Sequence, residues 1–482
     1  MTNGRAGARL FKIRFKALTP NKFVGAGLVP AHRASARTRE KVNPILRERA
    51  ALSACSRTLW AGTSPAPTVL PRLLNFLSAL LLAPLLAAPA TPRVFASSST
   101  QSTAARPSPD KLARLRGRLQ EKLDELHRGG SFPGATVGVA LEGGEHFGLA
   151  AGFSDRETKR LMTPDDLMLQ GSVGKTYAAA VALQLVREGK ISLDDKIEKY
   201  LGREAWFARL PNARDITVRM LMNHTSGLVR YEFKEQFTRD LTAQPDKVWK
   251  PEELVAYILD TAAPFAAGRG WDYSDTNYIV LGMIIARVTK SSFYEQARKR
   301  LLKPLKLTRT VPSDSRRVRG LAQGYAGANN PFGGTDAMIS NGRFAINPQF
   351  EWTGGGYAST TEDLARWAKA MYEGRAFHPS LLPTMLEGVP ARLGPEAKYG
   401  LGVIIRPSPV GTTYGHSGFF PGYITEMVYF PRLKAAVAVQ VNTSVPRSTG
   451  RPLYRFAVEL AEVIAQEKGV ADDAPKPAAT RN

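Results

Sequence analysis

Strand signals stand at both ends of the foldable part of this chain, and helical signals fill the middle. Ala135–Leu141 and His146–Gly152 read as early strands; Tyr399 to Arg406, Ile424 to Phe430 and Ala435 to Val441 read as late ones. Helices are expected at Pro109–His127, around 173–188, 217–223, 251–262, 276–289, 292–301 and 361–373, and from Pro452 to Glu467. Such an arrangement implies an α+β fold. One antiparallel sheet is assembled from both chain ends and flanked by helices, with an inserted, mainly helical subdomain. A binding site is expected where the two parts meet.

Three short patches fall in that frame. The first is Ser172-Val173-Gly174-Lys175, which opens the apolar, helix-forming run Thr176 to Leu185. A serine there faces free backbone N–H groups, and three residues is the spacing that puts Ser172 and Lys175 on one helical face. A lysine in a first turn opposes the helix dipole, which favours a role for its charge over a solvated surface residue. The second patch is Tyr273-Ser274-Asp275. The third is His416-Ser417-Gly418-Phe419, between strand-like segments. Small residues on a strand let a substrate backbone approach as an added strand; the plainer alternative is a hairpin turn carrying a surface histidine. Ser108-Pro109-Asp110-Lys111 repeats the first spacing, and His127 and His146 repeat the third, but all precede the Ser172 helix in structural settings. No His-x-x-x-His or Cys-x-x-Cys pair is present, so neither a metal nor any other cofactor is expected. Gly354-Gly355-Gly356 lacks a following Gly-Lys-Ser/Thr and reads as a tight turn, with Thr360 to Asp363 capping the next helix.

In this order the patches resemble the serine β-lactamase and penicillin-binding superfamily. The nearest branch in pattern is that of class C β-lactamases and the related D-alanyl-D-alanine carboxypeptidases and esterases, with Asn223-His224-Thr225-Ser226-Gly227-Leu228, Tyr278-Ile279-Val280-Leu281-Gly282 and Gly354-Gly355-Gly356-Tyr357-Ala358-Ser359-Thr360 adding to the likeness. The resemblance covers roughly Pro109 to Glu467 and implies the same two-part architecture. It implies a serine hydrolase that forms an acyl-enzyme on Ser172 with a β-lactam, D-Ala-terminated peptide or ester. Lys175 and Tyr273 would relay the proton, and the N–H groups of Ser172 and Phe419 would hold the oxyanion. His416 would supply positive potential and Ser417 would contact a substrate carboxylate. The alternative is a non-catalytic, penicillin-recognising regulatory protein. One departure matters: the branch carries asparagine where this chain has Asp275. A carboxylate only accepts hydrogen bonds, and beside Lys175 it would hold the lysine protonated. Asn277 is a candidate for the missing amide.

Residues 1–68 carry thirteen Lys/Arg against Glu40 and Glu48, show no sustained period, and read as a basic non-domain segment from a wrongly assigned start. Residues 69–96 follow with a basic flank, the apolar run Leu73 to Ala88 and small residues near Ala96, the pattern of a signal peptide. An uncleaved anchor is the alternative. Export to the periplasm or exterior is therefore expected, with a polar lead-in over 97–108, the hydrolase domain over 109–467 and a disordered tail over 468–482. The whole chain carries +24; removing residues 1–96 takes away fifteen Lys/Arg and two acids and leaves +11. That suits an anionic cell envelope and a small-molecule or peptidoglycan-derived substrate, and makes no case for nucleic acid. The single cysteine, Cys55, lies outside the domain, so the fold must rest on core packing.

Overall fold

The computed structural model describes residues 108–470, apart from 329, 331–335 and 446. The expectations for residues 1–107 and for the tail beyond Val470 lie outside the described residues. No helix among the described residues is long and apolar enough to cross a membrane.

Among the described residues, nine strands form one antiparallel sheet: β1 Gly134–Ala140, β2 His146–Asp155, β3 Arg160–Leu161, β4 Val389–Pro390, β5 Lys398–Tyr399, β6 Ile404–Arg406, β7 Thr413–Phe420, β8 Tyr423–Phe430 and β9 Ala435–Val441. Their spatial order is β3-β2-β1-β9-β8-β7-β6-β5-β4. The two chain ends thus meet at β1 and β9, with Ala135 opposite Val441 and Ala140 opposite Ala436. Both strands are buried on both faces, and residue size decides what covers each. Val137, Val139, Val437 and Val439 pack against helices α1 (Pro109–Arg128) and α5 (Leu453–Lys468), whose apolar residues recur at helical spacing. Gly138 and Ala438 are cross-strand partners and turn the other way. A Cβ on Gly138 would stand 1.9 Å from the Thr361 carbonyl oxygen, so this glycine lets α4 (Thr361–Tyr372) lie on the sheet. Thr360 caps that helix by accepting from the Asp363 N–H, as its sequence suggested.

Beyond that face lies the helical part, centred on α2 (Lys175–Arg187) and α3 (Asp275–Thr289). Asp275 to Ile285 are all buried, as a helix apolar on every side must be. Expectation and structure differ in four places. Tyr399 to Arg406 is two short strands, not one, because the chain bends through Gly400 and Gly402, the latter at φ +76. A Cβ on Gly402 would stand 2.6 Å from Ala179 Cβ, so the bend seats the strand pair against α2. The helix expected over 251–262 stops at Ala256, ahead of a left-handed Asp260. The helix expected over 292–301 is Phe293–Ala297 followed by a π-turn over Arg298–Leu302. The Gly354 segment is a single helical turn, Trp352–Gly355.

Candidate active site

Ser172 lies in a tight 3-10 turn, Gly171–Gly174, directly ahead of α2. Two glycine contacts bring that turn to the sheet. A Cβ on Gly171, which sits at φ +53, would stand 2.5 Å from the Phe419 carbonyl oxygen, and one on Gly418 would stand 1.9 Å from that of Gln170. Only bare backbone permits this approach of β7 to the nucleophile turn. Thr413–Phe420 is thus a strand and not a hairpin turn. Its neighbour β6 pairs with Thr413 to Gly415, so among the described residues His416–Phe420 has a sheet partner on one side alone. Counting register from the two-residue turn at Pro421-Gly422, the N–H groups of Ser417 and Phe419 face that open edge. The Phe419 N–H is therefore directed to the side where Ser172 lies.

Lys175 is fully buried, and its ammonium donates to three acceptors: Ser172 Oγ at 2.9 Å, the Gly354 carbonyl at 2.7 Å and Asp275 Oδ1. Gly354 is presented by a turn that starts at Trp352, whose φ of 37° and ψ of −113° are strained for an aromatic residue. Asp275 is the first residue of α3, where the helix dipole favours a carboxylate. Its Oδ2 accepts from Arg230 Nη2 at 2.8 Å, and Arg230 Nε donates to Glu232 at 2.6 Å. Burial alone would push the Lys175 ammonium down and the Asp275 carboxyl up. Their mutual attraction outweighs both effects, helped on Lys175 by Tyr273 and on Asp275 by Arg230, so both groups stay charged. The sequence-based expectation, a lysine kept protonated by Asp275, matches this geometry.

Tyr273 places its ring centroid 5.0 Å from Lys175 Nζ. Its hydroxyl is buried and completes no hydrogen bond among the described residues. Burial pushes the phenol up to about 12, although Lys175 and Ser172 pull the other way. At neutral pH the resting site thus holds an ammonium and a phenol.

His416 departs from expectation. Its Nδ1–H donates to the Ser417 carbonyl at 2.6 Å and its Nε2 accepts from the Tyr399 hydroxyl at 2.8 Å. Burial, reinforced by Lys175, depresses it to about 3, so it is a neutral ring and supplies no positive charge. Ser417 points to the opposite sheet face, as alternation requires. There its hydroxyl accepts from Arg406 at 2.9 Å and donates to Glu426 at 2.7 Å, so it is engaged within the protein. Phe419 is 55% exposed. Asn277 does not replace the missing amide: it is fully buried, accepts from Ser226 and meets His224 Nδ1 at 3.0 Å. The His224 ring packs tilted against that of Tyr273, with centroids 4.3 Å apart, and is likewise kept neutral by burial. Arg230, Glu232, Tyr399 and the Gly354 carbonyl went unseen in the sequence; the Asn223 to Leu228 patch was the nearest signal to two of them. The lookalike motifs are structural: Ser108 caps α1, His127 meets the Pro133 carbonyl, and His146 pairs with Glu362. No group of three or more His, Cys, Asp or Glu side chains among the described residues is arranged to hold a metal ion.

Residues 119–462 match the family model described as Beta-lactamase. Penicillin-binding protein 4* of Bacillus subtilis is 25% identical over 331 residues, which cover 65% of this chain and 68% of the relative. The teichoic acid D-alanine hydrolase of Staphylococcus aureus is 26% identical over 331 residues, covering 67% and 74%. Among solved structures, a D-stereospecific amidohydrolase from Streptomyces sp. superposes with a TM-score of 0.60 at 27% identity, covering 73% of this chain and 98% of that one.

Proposed function

The chain belongs to the Beta-lactamase family of serine hydrolases, and within it we propose that Ser172 forms an acyl-enzyme with D-alanyl amides and esters, which water then hydrolyses. The observation that carries this is the bond from Lys175 Nζ to Ser172 Oγ, with the buried Tyr273 hydroxyl beside both. The names of the Staphylococcus and Streptomyces relatives, a D-alanine hydrolase and a D-stereospecific amidohydrolase, support the substrate class.

Ser172 needs a base, and Lys175 as an ammonium has no lone pair to offer. Its charge instead favours the phenolate form of Tyr273. The fraction of Tyr273 that has already lost its own proton to water, a phenolate, takes the Ser172 proton as Oγ bonds to the acyl carbon. The carbonyl electrons move to oxygen, facing the backbone N–H groups of Ser172 and Phe419; one such donor contributes about 3 kcal/mol. When the intermediate collapses, the bond to the leaving group breaks and the Tyr273 proton goes to the departing nitrogen or oxygen. Water deprotonated by Tyr273 then releases the acid and restores Ser172. The apolar segment 69–96 supports export as part of the same proposal.

Intact-mass spectrometry after mixing with a fluorescent penicillin or an activated D-alanyl ester tests this reading. A covalent adduct that disappears in Ser172→Ala is expected. An adduct that survives that substitution, or none with either reagent, refutes it.

A further inference from the structure

Groups able to donate a hydrogen bond to a substrate are scarce around Ser172. Asp275 only accepts, and both its oxygens are taken by Lys175 and Arg230. Lys175 is fully buried with its three N–H bonds committed to Ser172, Gly354 and Asp275. His416 spends its N–H on the Ser417 carbonyl, and the Asn277 amide is fully buried. Arg230 differs from all of these. Its Nε goes to Glu232 and its Nη2 to Asp275, while Nη1 completes no hydrogen bond among the described residues. The side chain is 30% exposed. Its Cζ lies 5.4 Å from the Tyr273 ring centroid and 3.9 Å from that of Phe233, so aromatic faces and two carboxylates fix the guanidinium in place.

Resting on the reading of Ser172 as nucleophile, we propose that Arg230 is a specificity-determining residue that donates from Nη1 to an amide carbonyl oxygen on the substrate's acyl group. The enzyme then selects N-acylated D-aminoacyl donors over those with a free amine. Charge decides between acceptors. Arg230 is already balanced by the Asp275 carboxylate, while burial, only partly opposed by Arg230, pushes Glu232 up to about 8, and burial likewise raises Glu351. A pocket that already resists ionising its own acids gives a further anion little welcome. A protonated amine would meet a cation that only donates. A neutral carbonyl needs nothing more than the free N–H.

The experiment compares kcat/KM for two esters with one leaving group, N-acetyl-D-alanine ester and D-alanine ester, in the full chain and in Arg230→Met and Arg230→Lys. The parent should prefer the N-acetyl ester by about 10–100-fold, the span of one hydrogen bond to a charged group. Arg230→Met should collapse that ratio towards one. Arg230→Lys keeps charge beside Asp275 but loses the fork, and should fall between them; it carries the variant arm if the methionine form does not fold. A parent that prefers the free-amine ester overturns the proposal. So does an Arg230 variant that slows both esters equally, the result of a purely structural role in holding Asp275. Failure of the underlying reading is distinct: Ser172→Ala would then still turn over both esters.

Discussion

Replacing Asp275 by asparagine should turn the pH dependence of this enzyme towards neutrality. Lys175 and Asp275 are in direct contact in a buried site. At about 3 Å and an effective dielectric constant of ~20, their attraction is ~5 kcal/mol, or ~4 pKa units. Burial acts on Lys175 in the other direction, and once the carboxylate is gone it prevails. An asparagine oxygen still accepts from the lysine, so a net fall of ~2–4 units is expected. The neutral Lys175 amine then has a lone pair and can take the Ser172 proton in place of the phenolate. The assay is kcat/KM for an activated D-alanyl ester from pH 6 to 11. The parent rate should climb through the alkaline range, since its phenol is held at about 12. In Asp275→Asn the climb should move down by ~2–4 units, raising the rate at neutral pH by at least ~10-fold. A climb shifted by less than roughly half a unit, or activity lost at every pH in a folded variant, would refute the reasoning.

Tyr273→Phe removes the proposed proton carrier and should lower kcat by ~10²–10⁴-fold; retained turnover under steady-state assay would exclude the phenol. Gly418→Ala places a Cβ 1.9 Å from the Gln170 carbonyl oxygen, so β7 must retreat from Ser172. It should cost ~1–3 kcal/mol in urea unfolding and at least ~100-fold in kcat/KM, and unchanged acylation would contradict the close approach. His416 should make a distinct contribution to acid sensitivity. Its folded value of about 3 lies below the ~6.5 of an unfolded chain, so its stability contribution is complete above pH ~6.5 and is lost as pH falls towards 3. Glu232, Glu351 and Glu426 have raised values and titrate with the opposite sign, so the test is the difference between parent and His416→Gln. That difference should shrink by ~1.4 kcal/mol per pH unit below ~6.5 in urea titrations; a flat difference from pH 7 to 4 would show that the ring is not buried neutral.

The pairing of Ser172 with Lys175 was legible because one helical turn sets it locally, and Asp275 as a charge partner for Lys175 followed from residue chemistry. The two-part architecture was legible because apolar runs of strand length cluster at the two ends. Arg230 and the Gly354 carbonyl were not, because what makes them part of the site is an approach across the fold: Gly354 is 179 residues from Lys175. His416 misled for a related reason. A histidine beside glycines suggests an exposed cation, and the Tyr399 hydroxyl, brought in from β5, two places along the sheet, is part of what shows it buried and neutral. β7 itself was ambiguous because Gly415 and Gly418 weaken the strand signal at the positions where close backbone approach is needed.

The pairing of β1 with β9 also sets an order of events for the growing chain. The partners Ala135 and Val441 lie roughly 300 residues apart, a loop whose closure must precede the gain from their contacts. Until β9 emerges, β1 can pair only with β2, and α4 has no completed sheet to lie on. The helical part and Ser172 are synthesised before β7 can reach them. A nascent chain stopped short of Phe420 therefore holds its serine and lysine but lacks the strand edge that completes the site, so hydrolytic competence arrives only near the end of synthesis.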